Sequence, residues 1–456
     1  MDPAGFSPQW GITPEIEVIL KLNLHDEDNA ADIVPDSEVT YIGNSLIYVQ
    51  EAEAVSMCNV TPSVTLSSLI LGGRLVAKSK ASSVQTAANL LNELEGSGLL
   101  GLPYAIALAG WGAVGCLVVV GTMAAFTGWC LARCMYDPNT HKRVRSTYKS
   151  VGEACFGERG GRAVVIVQML NLCSVGVVYL VLMSETLSEL APICNDRRVW
   201  AGICTAAVLP TVHIGGYKKL SVMSYLGLLC LATIIVLGIS SSILQINNEN
   251  GGTFKRMPLP SLSTFPASYS IFVFAFSAHG IFPDLEASMS QPKDFPAVVV
   301  SVFSLNMVMK VVFALSGFYA YGTAVSQVFT NSLPSTPRLA VSILIVLNTF
   351  LSFPLPLIPV FRFLKPRGNE FLHRTFVVLC IGAVSALVPN FGLAMGFMAS
   401  LTLAFLTFIF PTLFLITIHG KDLGIATKCA AYLTMFMGGV GGVCGLIANA
   451  NLAVGN

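Results

Sequence analysis

Charged residues make up only 11% of this 456-residue chain, with 26 Lys and Arg set against 25 Asp and Glu. A soluble globular protein carries roughly 25%. So few charges cannot cover a water-facing surface, which excludes an ordinary soluble domain and leaves lipid as the solvent for most of the exterior. The near-zero charge balance offers no footprint for nucleic acid. The twelve Cys contain no CxxC pair, and those within apolar runs read as small buried hydrophobes. Neither a metal nor a cofactor is expected. The first thirty residues are polar and acidic and lack the basic and apolar regions of a secretory signal. The first membrane helix is therefore expected to direct targeting. His-Glu-x-x-His and Gly-x-Ser-x-Gly patterns and paired intramembrane aspartates are missing from the apolar runs, which speaks against an enzyme.

What the chain does have is a long series of apolar segments. Spans are predicted near 86–108, 111–135, 161–186, 198–214, 219–243, 268–290, 296–321, 337–361, 372–388, 391–417 and 427–449. Each approaches the roughly 20 residues that a hydrocarbon core demands, the 198–214 and 372–388 runs being the shortest. Backbone amides in lipid must find partners within their own segment, so the spans are helices. The expected fold is an all-α membrane protein with about eleven transmembrane helices. Residues 1–85, with acids clustered at 26–38, read as a largely disordered cytosolic tail ahead of a transmembrane domain over 86–450. Lys and Arg favour one set of loops by about three to one, placing the N-terminus in the cytosol and the C-terminus outside or in a lumen.

Two spans carry a break at membrane depth. Glycines at Gly96, Gly98 and Gly101 lead to Pro103 in the first, and Ser277 to Pro283 interrupts the sixth. The two prolines lie 180 residues apart, each in the first helix of a five-helix block. Paired interruptions in two halves point to a transporter's midplane binding site, and an odd helix number per half requires the second copy to be inverted. Gly96, Gly98 and Gly101 also fit a dinucleotide fingerprint, but no preceding strand or βαβ unit accompanies them. Unwinding frees backbone groups. Amides from Ser97 through Leu99 to Gly101 suit a carboxylate at the positive end of a half-helix. Freed carbonyls at Phe274, Ala275 and Phe276 suit an ammonium. Together they match a zwitterion.

The sequence at these positions resembles the amino acid/auxin permease family, nearest its vesicular inhibitory and plant vacuolar amino acid transporters. The resemblance rests on Asn89 and Asn92, the run Leu100 to Ile106, Thr127-Gly128, Gly161-Arg162, Gln168 and Tyr179, then Leu209-Pro210 and Leu220-Ser221. It is densest at Pro283, Leu285, Glu286, Met289, Gln291, Pro292 and Phe295, and continues through Lys310, Asn331 to Pro334 and Leu351 to Pro356. It covers about residues 86–450. It implies the 5+5 inverted-repeat (LeuT-type) fold plus one extra helix, and proton-coupled amino acid transport by alternating access across a vesicular, vacuolar or lysosomal membrane. The partners implied are an amino acid (γ-aminobutyrate, glycine or another small neutral one), protons and membrane lipid. A plasma-membrane symporter driven by protons or sodium, or an amino acid sensor on the same fold, are the alternatives.

By analogy with the family's site, Asn92, Tyr179 and Ser352 join the binding set, with Gln168 a further polar contact. Ionisable groups within spans are functional candidates by default. Glu286, just past the second break, is expected to couple or gate, against the alternative of a structural ion pair. His279, in the break itself, titrates near neutrality when unperturbed or serves as a packing histidine. Lys310 pairs with a carboxylate or stands in for a cation. Asp284 sits where the helix dipole alone would stabilise it. Glu93 and Glu95 precede the first break and either line an inner vestibule or face water.

Overall fold

A computed structural model of the chain describes residues 81–455 apart from 111, 141, 192–193, 195, 214–216, 249–262 and 365–368, together with four short strands further upstream. The chain divides into two units, Met1–Ser79 and Lys80–Asn456. In the first, β1 (Glu38–Ile42) pairs antiparallel with β2 (Ser45–Val49), and β3 (Leu69–Leu71) pairs with β4 (Arg74–Val76). The expected disorder of the tail falls otherwise outside the described residues.

The second unit is helical. It begins with α1 (Ser83–Leu94), whose start is fixed by a capping box between Ser82 and Gln85. There follow α2 (Leu102–Ala109), α3 (Gly112–Cys134), α4 (Tyr148–Leu190), α5 (Arg197–Val208), α6 (Tyr217–Asn248), α7 (Phe265–Ala275), α8 (Phe282–Ser288) and α9 (Phe295–Tyr321). After these come α10 (Ser335–Ser352), α11 (Leu357–Phe363), α12 (Glu370–Leu387), α13 (Phe391–Met398), α14 (Phe410–His419) and α15 (Ile425–Gly455). Between α13 and α14 the backbone runs as a π-helix over Ala399–Ile409, which the apolar pattern did not announce.

Nine helices among the described residues are long and apolar enough to cross a membrane. The expected spans at 86–108 and 198–214 fall outside that set for separate reasons. The first is divided into α1 and α2 by its break. The second is α-helical only over Arg197–Val208, then tightens into a 3-10 turn through Leu209–His213, where Pro210 cannot donate an amide. The third span extends well beyond 161–186. Its helix starts at Tyr148 and bends at Phe156 and Gly157. Gly157 adopts φ +62, a left-handed conformation that costs any side chain with a Cβ.

Buried apolar residues from α2, α3, α7 and α9 form the main core around Phe272, Phe276, Phe282, Phe303 and Phe318. A second cluster joins α4, α5, α11 and α12. Lipid-facing positions are apolar as well, among them Val308 on α9, Phe376 on α12 and Leu433 on α15, all exposed. The start of α1 lies beside the end of α8: Ala81 N donates to Ser288 O at 2.8 Å, and Ser290 N donates to Ala81 O at 2.8 Å. The first half of one broken span thus shares a membrane side with the last half of the other, as an inverted pair requires.

Candidate functional site

Both breaks form where the residues demand them. After α1 the chain turns extended at Gly96, winds a 3-10 turn over Ser97–Gly101 and resumes as α2 with Pro103 at its start. Proline lacks the amide that would bond back into the previous turn, and its fixed φ suits a helix's first positions. After α7 the chain is irregular at Ser277 and Ala278, makes a 3-10 turn over His279–Ile281 and re-enters helix at α8, with Pro283 again near the start. The breaks meet. A Cβ on Gly98 would lie 2.9 Å from Phe274 Cδ1 and 3.0 Å from the Ala275 α-carbon, so only glycine allows this approach.

A cavity of about 410 Å³ lies against them, within the range of small-molecule sites. On the first broken helix its lining stops at Gly98, and on the second it starts at Phe274; α2 contributes nothing. The far side of the breaks is packed shut. Gly101 presses on Met395 and Ile271, and a Cβ on Gly317 would lie 2.7 Å from Pro103 Cγ. Access is therefore from the side that holds the start of α1 and the end of α8.

Of the predicted site residues, Asn92, Gly96, Ser97, Gly98, Tyr179, Phe274, Ala275, His279 and Ser352 border the cavity. Leu99, Gly101 and Phe276 do not. Leu99 is buried in the core, and Gly101 packs closely on Met395 and Ile271. The Phe276 ring packs against Gly121 and Lys310. At the break, Leu99 N donates to Gly96 O at 3.2 Å, so the amides of Ser97 and Gly98 precede the first bonded donor of the turn, and both residues line the cavity. The three carbonyls expected to be free are not all so. Ala275 O accepts from Lys310 Nζ at 2.6 Å and Phe274 O accepts from Ser277 N at 3.4 Å.

Other polar groups line the cavity too. Gln168, Asn171 and Tyr179 come from one face of α4, joined by Leu172 and Val175 at helical spacing, and Gln168 Nε2 donates to Gly280 O at 3.3 Å. Asn348 lies one turn before Ser352 on α10, and its Nδ2 donates to Gly227 O at 2.6 Å. Glu93 and Asp284 bring two water-accessible carboxylates, while no Lys or Arg appears in the lining.

The three ionisable candidates separate. Glu286 is fully buried but does not reach the cavity. Tyr136 Oη donates to its Oε1 at 2.5 Å, and Arg143 Nε stands 2.5 Å from Oε2. Arg143 also donates to Pro283 O at 3.2 Å. The α3–α4 loop is thereby clamped to α8 at the accessible side. Burial, and then the Glu286 carboxylate, hold the Tyr136 phenol above its ordinary range, which keeps it a donor. His279 borders the cavity, yet its side chain turns inward. Nε2 lies 3.0 Å from Thr127 Oγ1 and 3.2 Å from Ala124 O, and the ring stacks on Phe282 at 4.8 Å. Lys310 is buried between the breaks and outside the cavity.

Comparison with known proteins gives this geometry a family. The family model described as "Transmembrane amino acid transporter protein" matches residues 79–450. This chain is an amino acid transporter of that family. The transporter is 28% identical to the vesicular inhibitory amino acid transporter of Rattus norvegicus over 367 residues, covering 74% of this chain and 69% of that protein. It is 29% identical to the Arabidopsis thaliana amino acid transporter AVT1D over 384 residues, covering 79% and 68%. Among solved structures it resembles Mhp1 in an inward-facing conformation, at 14% identity, TM-score 0.52 and coverage of 83% and 90%. It also resembles the Eremococcus coleocola manganese transporter, at 12% identity, TM-score 0.51 and coverage of 83% and 94%. These likenesses carry the fold, and the transporter has the expected LeuT-type architecture.

Proposed function

We propose that the transporter moves small neutral amino acids, glycine and γ-aminobutyrate first among them, from the cytosol into a vesicle, vacuole or lysosome in exchange for protons. Its N-terminus is cytosolic, its C-terminus luminal, and the chain crosses eleven times once the broken first span and the Arg197–His213 segment are counted. The observation that carries this reading is the cavity's chemistry. Main-chain donors at Ser97 and Gly98 adjoin two carboxylates, Glu93 and Asp284, with no cationic side chain. A substrate carboxylate then has only amides and neutral side chains to receive it. Its ammonium has a carboxylate within the same water-filled space.

In the proposed orientation the start of α1 and the end of α8 face the cytosol, so the cavity is inward-facing. Transport proceeds as α1 and α8 close over the substrate and the Gly101–Met395 and Gly317–Pro103 contacts open on the luminal side. Glu286 acts as a gate through Arg143 and Tyr136. Glu93 is the carboxylate placed to release its proton to water as it takes the substrate's ammonium, being both accessible and beside the break. The vesicular and vacuolar names of the relatives support the compartment. The test is uptake of a panel of labelled amino acids into proteoliposomes with an acidic interior. Uptake of glycine or another small neutral amino acid that collapses with a protonophore is expected. Uptake driven only by a sodium gradient, or saturable binding with no flux, would overturn the exchange mechanism in favour of a symporter or a sensor.

A further inference from the structure

Between the two breaks, outside the cavity lining, lies a cation built into the chain. Lys310 on α9 is fully buried, and its Nζ donates to Leu94 O at 2.5 Å, Ala275 O at 2.6 Å and Asn306 Oδ1 at 2.9 Å. Leu94 and Ala275 are the last residues of α1 and α7, so both carbonyls are half-helix C-terminal ends, where the helix dipole is negative. Asn306 relays the charge outward: its Nδ2 donates to Glu95 Oε1 at 2.8 Å. The Phe276 ring covers the ammonium, with its centroid 5.0 Å from Nζ. All three ammonium protons are used, and the neighbouring carboxylate of Glu95 is itself nearly inaccessible.

Unwound carbonyls and half-helix C-terminal ends at paired breaks are the groups that coordinate Na⁺ in transporters built this way. Here three oxygens from three elements converge on one point, and an ammonium fills it. We propose that Lys310 is a tethered substitute for a bound alkali cation, which fastens the two broken helices together and frees the transporter from any need for sodium at this position. The inference builds on the transporter reading but not on its substrate or coupling ion. A cut at Cβ removes a fragment with the shape of n-propylammonium, so Lys310→Ala leaves an oxygen-lined gap that a free cation can enter. Lys310→Met removes the charge and keeps the gap filled.

The experiment is thermal unfolding of the purified full chain in choline chloride, sodium chloride and n-propylammonium chloride at equal ionic strength. A ligand that binds only the folded state raises Tm with its concentration. Lys310→Ala is expected to unfold at a lower temperature than wild type in choline, and to recover saturably in sodium or n-propylammonium. n-Propylammonium should move neither wild type nor Lys310→Met, and sodium should move Lys310→Met no more than wild type. If Lys310→Ala does not survive purification in choline, recovery of folded protein only in sodium or n-propylammonium supports the proposal equally. Failure to recover it in any of the three salts overturns it. So does a Lys310→Ala variant as stable as wild type in choline, or one blind to both cations, or a Lys310→Met variant that recovers as Lys310→Ala does. The readout needs no substrate, so a failure here is separate from a failure of the uptake assay.

Discussion

Replacing Gly98 with alanine sets a methyl group 2.9 Å from Phe274 Cδ1, 3.0 Å from the Ala275 α-carbon and 3.1 Å from Phe274 Cε1. Carbon atoms in good contact stand about 3.5–4.0 Å apart. The first and second breaks must then part by about 0.5–1 Å, the shortfall from that contact distance. Neither side yields readily. The Ala275 contact is backbone, and its carbonyl is fastened to Lys310. Overpacking of this kind costs about 1–3 kcal/mol. Levied on the binding-competent arrangement, that is a loss of about 5–150-fold in apparent affinity. The measurement is KM for amino acid uptake into proteoliposomes, with size-exclusion behaviour confirming a folded protein. Gly115→Ala is the control, because nothing lies within 4 Å of the added methyl, and it should behave as wild type. A folded Gly98→Ala variant with unchanged KM would refute the idea that contact between the breaks shapes the site.

Glu93→Gln should raise KM about 10-fold or more, since a hydrogen bond to a charged group contributes about 1.5–3 kcal/mol; an unchanged KM moves the ammonium partner to Asp284. Glu286→Gln keeps an acceptor for Tyr136 but removes the charge opposite Arg143. Breaking a fully buried pair costs about 3–5 kcal/mol, and here the effect should be smaller because Arg143 is 27% exposed. Because the pair is made while the cavity is open on this side, a lower Tm and slower modification of a cysteine introduced at Ser97 are expected, and labelling at the wild-type rate would remove the gate. Gly157→Ala puts a Cβ at φ +62, ψ −156 in otherwise open space, costing about 1–3 kcal/mol; Tm should fall with KM unaltered, and an undiminished Tm would show that the bend carries no strain.

The breaks were legible because glycine and proline act locally: a missing amide at Pro103 or Pro283 ends a helix wherever the chain goes next. The α4 face was legible in principle as well. Gln168, Asn171 and Tyr179 recur at helical spacing in an apolar run, though only Gln168 and Tyr179 were picked out from the sequence. Gly101 and Leu99 lie off the cavity, and a glycine needed for close packing on Met395 reads the same in sequence as one needed by a ligand. The partners of Lys310 could not be read at all. Two are main-chain carbonyls from α1 and α7, and a carbonyl has no letter in the sequence. Glu286 was flagged by its place in a span, but its choice of Arg143 over the cavity depends on how the α3–α4 loop folds back. The π-helix at Ala399–Ile409 likewise depends on tertiary packing, because its residues would serve an α-helix as well.

The most direct measurement is a structure of the transporter determined with its transported amino acid bound. The substrate carboxylate is predicted at the amides of Ser97 and Gly98, with its ammonium toward Glu93 and its body against Phe274. An amino acid seated away from both breaks, with these amides facing only water, would contradict the account.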